Sequence, residues 1–144
     1  MITRTASARY EGFGKEGKGH VSTQSGVLSD QPYGFNTRFE NEPGTNPEEL
    51  IAAAHASCFS MMLSKLLGDA KKTASDIRTK ATLTLSNASG GWKISKIHLE
   101  TEVSGGGLDA ETLNRIAGQA KEQCPISVLL KPGLESLTLE VKLK

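Results

Sequence analysis

Cys58 and Cys124 are the two thiols of a 144-residue chain, and neither is placed as a structural staple would be. Cys58 lies in the middle of an apolar helical pattern, three residues after His55 and ten after Glu48. Cys124 closes a second helical pattern and is followed at once by Pro125. Both could be packing residues, because a free cysteine in a core behaves as a small hydrophobe. They could also be an attacking and a resolving thiol. The attacking species is a thiolate, so a thiol with a pKa near ~8.5 needs a cation or a helix N-terminus beside it. Mid-helix placement denies Cys58 a helix terminus, so its cation must come from elsewhere in the fold.

Cys124 differs in this respect. Proline disfavours α conformation at the residue before it, so the helix should break at Cys124 and a short one start at Pro125. Cys124 would then stand at a helix N-terminus, where the dipole favours a thiolate. His55 and Cys58 could share a metal, but a structural zinc site needs four ligands and no Cys-x-x-Cys partner exists. His55 reads instead as a hydrogen-bonded core histidine near Cys58. Glu48 and Glu49 suit a first helical turn, with Glu49 closing an Asn46-Pro47-Glu48-Glu49 capping box. Arg38 alternates with Phe35 and Phe39 as a strand residue would, on a solvated face.

The elements around these residues are those of one domain, residues 1–144. Near-neutral charge, 17 Lys and Arg against 16 Asp and Glu, gives no footprint for nucleic acid or an anionic membrane. The N-terminal residues have no apolar run like that of a signal peptide. The uncharged run from Ile51 to Ser64 is shorter than the ~18 residues of a membrane span and reads as a buried helix. A reducing cytoplasmic setting is the expectation, and there a cysteine pair is more often chemical than structural.

Residues 6–40 read as short strands joined by glycine turns. The helix that starts at Asn46-Pro47 is apolar on nearly every side from Leu50 to Leu67, so it should be the central helix of the core, with Cys58 on a stripe of Ile51, Ala54, His55, Met61 and Met62. Residues 77–85 and 92–103 alternate as strands around a turn. The apolar parity of the second changes between Ile94 and Ile97, which a β-bulge near Ser95-Lys96 would explain. Asp109 caps a helix with Leu113, Ile116, Ala117, Ala120 and Cys124 on one stripe, and residues 137–143 form a last strand. The fold class is α+β, antiparallel sheets around central helices.

Gln31-Pro32-Tyr33-Gly34-Phe35-Asn36-Thr37-Arg38-Phe39, then Gly44-Thr45-Asn46-Pro47-Glu48-Glu49-Leu50 with Cys58 ten residues past Glu48, then Cys124-Pro125, resemble the osmotically inducible protein C (OsmC) family. The related organic hydroperoxide resistance proteins share the Asn-Pro-Glu and two-cysteine pattern, and the Pro-Tyr-Gly-Phe-Asn-Thr-Arg segment favours the OsmC branch. The resemblance implies an intertwined homodimer and a thiol-dependent peroxidase acting on organic hydroperoxides, with an outside dithiol as reductant and no cofactor. It makes Cys58 the peroxidatic thiol, Cys124 the resolving thiol, Arg38 the cation near Cys58 and Glu48 the acid that orients it. The hydroperoxide resistance branch places its arginine in an earlier loop, which here carries only Lys15 and Lys18. The competing reading is a non-enzymatic small-molecule-binding dimer, or a slow redox sensor, whose cysteines pack.

Overall fold

The computed structural model describes residues 1–144 and divides into two compact units, Met1–Leu50 and Ile51–Lys144. In the first, strands β1 (Ala6–Glu11), β2 (Lys18–Thr23) and β3 (Gln31–Tyr33) form an antiparallel sheet in that order. A short helix α1 (Phe35–Phe39) follows, and α2 (Pro47–Asp69) begins at the end of this unit.

Arg38 therefore lies on a helix and not on a strand. The aromatic alternation around it is outweighed by a local turn, in which Thr37 Oγ1 accepts from the Gly34 N–H at 2.8 Å and donates to the Gly34 carbonyl at 3.0 Å. The Arg38 N–H then reaches the same carbonyl at 3.1 Å. Gly44 holds φ at +145°, and a Cβ there would lie 2.6 Å from the Pro32 carbonyl oxygen. That close approach, which glycine alone allows, lets the Thr45 N–H bond Pro32 O at 2.9 Å and delivers the chain to the start of α2. Asn46 caps the helix through its Oδ1, which accepts from the Glu49 N–H at 2.8 Å. The Glu49 carboxylate accepts from the Thr45 hydroxyl at 2.9 Å, one residue before the cap, in place of the Asn46 backbone N–H that the expected capping box would use.

The second unit holds strands β4 (Asp76–Asn87), β5 (Trp92–Ser104) and β6 (Ser136–Leu143) with helices α3 (Ala110–Gln123) and α4 (Pro125–Leu130). β4 and β5 are an antiparallel hairpin, whereas β6 runs parallel to β5. This sheet is mixed, a correction to the all-antiparallel expectation. The α3–α4 crossover carries the chain back to the starting end of β5, and a parallel pair requires such a return. The β4–β5 register shifts by one residue at Thr84/Leu85, leaving Ser95 as the bulged residue where the parity change places it. Asp109 caps α3 by accepting from Thr112 N at 2.8 Å, and Leu113, Ile116, Ala117 and Ala120 are buried on one stripe.

Phe59, Leu63 and Leu67 from α2 join Ile97, Leu99, Val103, Leu113 and Ile116 in a core closed by partly buried residues of β4 and β6. The buried stripe of α2 is thus His55, Phe59, Leu63 and Leu67, at i, i+4 spacing. The wider stripe expected from the sequence lies to one side of it: Cys58 is half-buried, and Met61 is 75% exposed. α2 is 23 residues long and, with a mean hydropathy of 1.5 over 18 residues, is long and apolar enough to cross a membrane. Only 22% of that window is buried, so in the single chain α2 is not the enclosed central helix expected. Within the second unit one face packs into the core, while Ala53, Ala54 and Met61 stay exposed. Leu63→Ala should cost about 2–5 kcal/mol through lost contacts and a residual cavity. Urea unfolding at fixed protein concentration measures it, and a loss below about 1 kcal/mol would show that the site refills.

Candidate functional site

Cys58 and Cys124 are brought together. The Cys124 thiol contacts Cys58 with Sγ–Sγ at 2.8 Å, Cys124 fully buried and Cys58 partly open. The arrangement follows from local rules. Cys124 has φ −56° and ψ 124°, which ends α3, and Pro125 takes the first position of α4. This break turns Cys124 from the end of one helix into the cap of the next, against the middle of α2. Cys58 opens on a groove of about 550 Å³ lined by Ala54, Ser57, Met61, Met62, Pro125 and Ile126, with Lys65 at its edge. The lining is almost wholly apolar, and Lys65 is engaged with Asp69 at 2.6 Å.

Burial pushes the Cys58 thiol above the ordinary cysteine value, and its hydrogen bond with Cys124 adds to the rise. The Ile126 backbone N–H pulls it part of the way back. No cation acts on Cys58 in these surroundings, contrary to the lowered thiol that a reactive cysteine requires.

Behind the thiols, His55 Nε2 and Ser127 Oγ are hydrogen-bonded at 2.7 Å and buried, His55 at 0% and Ser127 at 1% exposure. Burial also lowers the His55 pKa, so the imidazole is neutral. His55 is the hydrogen-bonded core histidine its position implied. Ser127 was not singled out in the sequence. Its signal is a single hydroxyl within the apolar segment Pro125–Leu130, three residues after Cys124, as His55 is three before Cys58.

Within the first unit, Arg38 Nε donates to Glu48 Oε1 at 2.5 Å, and the guanidinium also stacks over Phe39 at 5.3 Å. Glu48 is buried, at 9% exposure, and its Oε2 has no partner in the chain. Arg38 bonds through Nε alone, so its two terminal nitrogens remain available. A carboxylate fixing one edge of a guanidinium while the other stays open can present a permanent positive charge to an anion. Lys15 and Lys18 border a separate groove with Tyr33, Asn36 and Glu42.

Metal-type donors meet elsewhere. One atom each of His98, Glu100 and Glu140 lies within 4.8 Å of the others, on the side of β5 and β6 away from buried Ile97 and Leu99. His98 Nδ1 is tied to Thr138 Oγ1 at 2.6 Å, and Lys80 pairs in register with Glu100. This is a solvated charged face.

An α+β chain with two three-stranded sheets and a helix-borne pair of thiols is the class of protein that this fold and site define. The chain belongs to the OsmC-like protein family, whose model matches residues 39–138. It is 52% identical over 143 residues to peroxiredoxin OsmC of Escherichia coli K12, covering 99% of this chain and 98% of the relative. It is 30% identical over 125 residues to the organic hydroperoxide resistance protein OhrB of Bacillus subtilis, covering 86% of this chain and 89% of the relative. The crystal structure of an organic hydroperoxide resistance protein from Elizabethkingia anophelis superposes with a TM-score of 0.83 at 24% identity, over 100% of this chain and 98% of that one. That of Bacillus subtilis OhrB gives 0.71 at 27% identity, over 99% and 98%.

Proposed function

We propose that the protein is a thiol-dependent peroxidase that reduces organic hydroperoxides to alcohols. It works in the cytoplasm as an intertwined homodimer, with residues 1–144 as one functional domain. The observation that carries this reading is the Cys58–Cys124 contact at 2.8 Å beneath an apolar groove. The relatives named peroxiredoxin and organic hydroperoxide resistance protein support it.

Cys58 thiolate attacks the distal peroxide oxygen, the O–O bond breaks, and the alkoxide takes a proton to leave as alcohol. Cys58 becomes sulfenic acid, which condenses with the Cys124 thiol to a disulfide and water. An external dithiol reduces the disulfide by exchange through a mixed disulfide. The scheme calls on no metal, haem or flavin. Ala54, Met61, Met62 and Ile126 give the groove an affinity for an organic tail and little for hydrogen peroxide. Titration of the reduced protein with an alkyl hydroperoxide and with hydrogen peroxide, following free thiol, tests the reading. One equivalent of alkyl hydroperoxide should consume both thiols, well before hydrogen peroxide does. Thiols untouched by either oxidant would favour a binding module with packing cysteines.

Arg38, oriented by Glu48, supplies the cation that the single-chain surroundings of Cys58 lack. Arg38→Ala should raise the Cys58 pKa and slow peroxide attack about tenfold or more at neutral pH, with partial recovery in alkaline buffer as thiolate forms without help. An unchanged pH–rate profile would pass the role to Lys15 or Lys18.

A further inference from the structure

His55 and Ser127 repeat the geometry of the two cysteines one helical turn away. On α2, His55 stands three residues before Cys58. On α4, Ser127 stands three after Cys124, the helix cap. Residues three apart on a helix share a face, so two cross-links run side by side between the same elements. One is Sγ–Sγ at 2.8 Å and the other Nε2–Oγ at 2.7 Å.

α4 also meets this region through the Ile126 N–H on Cys58 and through Leu130 packed against the core, neither of which pairs two side chains across to α2. It is six residues long and turns Val128 and Leu129 outward, at 59% and 72% exposure in the chain. On its other side α2 is tied by Ser60 Oγ to Thr79 Oγ1 at 2.7 Å, which anchors it to β4 and not to α4. His55 Nδ1 is buried and unpartnered, so the bond to Ser127 is the imidazole's one polar anchor. With both groups out of water, opening this bond leaves a donor and an acceptor unsatisfied.

We infer that His55 and Ser127 form a clamp that holds Cys124 within reach of oxidised Cys58, and so decides whether the sulfenic acid resolves to a disulfide or is oxidised further. The inference rests on the peroxidase reading and adds two positioning residues to it. Sulfenic Cys58 has two fates. Condensation with the Cys124 thiol forms the S–S bond and releases water, while a second hydroperoxide transfers an oxygen to give sulfinic acid and alcohol. The first depends on how closely Cys124 is held, since the sulfurs must close to about 2.05 Å. The second does not involve Cys124 and rises with hydroperoxide concentration.

The test uses Ser127→Ala and His55→Phe, with His55→Gln as the conservative variant that can still hydrogen-bond. Equilibration with a glutathione redox buffer measures the effective concentration of the two thiols, which should fall about tenfold in Ser127→Ala and His55→Phe. Excess alkyl hydroperoxide followed by intact mass should show a sulfinic fraction about fivefold above that of the parent in both variants. His55→Gln should return both readouts toward the parent, which a general loss of packing would not allow. A glutathione equilibrium and a sulfinic fraction unchanged in folded Ser127→Ala would overturn the clamp. Failure of the parent to react with hydroperoxide would overturn the peroxidase reading instead, with the glutathione titration still deciding the clamp.

Discussion

Cys58→Ser should lower alkyl hydroperoxide consumption by on the order of a thousandfold or more, because the thiolate is the nucleophile and a serine hydroxyl does not ionise at neutral pH. The fold should survive, since Cys58 is only partly buried at the edge of the core stripe and serine is nearly its size. Cys124→Ser should behave differently. It removes the thiol 2.8 Å from Cys58, so one equivalent of hydroperoxide is reduced and turnover then stalls. The protein should gain one oxygen as sulfenic acid, and a second with excess oxidant. The pair of outcomes assigns the two roles. A coupled peroxidase assay with a dithiol reductant, read beside intact mass, separates them in one preparation. Wild-type rates in Cys58→Ser would remove Cys58 from the chemistry, and a single-turnover burst in Cys58→Ser with none in Cys124→Ser would exchange the assignments.

Most of what positions the thiols is local, and local features were legible. The Asn46 and Asp109 caps depend on a side chain and a backbone N–H three residues on. The break at Cys124 is enforced by the ring of Pro125, and the bulge at Ser95 follows from a parity change within one strand. What could not be read depends on distant partners. The parallel pairing of β6 with β5 is a matter of where the crossover returns the chain, not of the strand's own alternation. Which face of α2 is buried was hidden because an all-round apolar helix has no polar side to mark the other. The structure selects His55, Phe59, Leu63 and Leu67 and leaves Met61 outside. Arg38 has the aromatic alternation of a strand residue, but the Gly34–Thr37 turn folds it into a helix. The His55–Ser127 bond spans 72 residues, and neither partner alone indicates the other.

Co-expressed Cys58→Ser and Glu48→Gln chains should recover activity that neither parent has, if the two halves of the catalytic machinery belong to different subunits. Helix α2 runs unbroken from Pro47 to Asp69 and carries both Glu48 and Cys58. Ten residues at 1.5 Å each separate them by ~15 Å along the axis, too far for Glu48 to serve an arginine touching Cys58 on the same straight helix. Three observations fit the shared site of the proposed homodimer. α2 keeps much of its apolar surface uncovered, the Cys58 thiol is pushed up with no cation acting on it, and Glu48 Oε2 is buried without a partner. In a two-fold dimer each defect is met twice by the same contact, with Arg38 and Glu48 of one chain facing Cys58 of the other. A mixed dimer then holds one site in which wild-type Cys58 faces wild-type Glu48, and one in which both are mutated. Purified mixed dimers should approach about half the wild-type rate, since one of two equal and independent sites is intact. Mixed dimers no more active than the Glu48→Gln parent would exclude the shared site and place Glu48, Arg38 and Cys58 of one chain together through a break in α2.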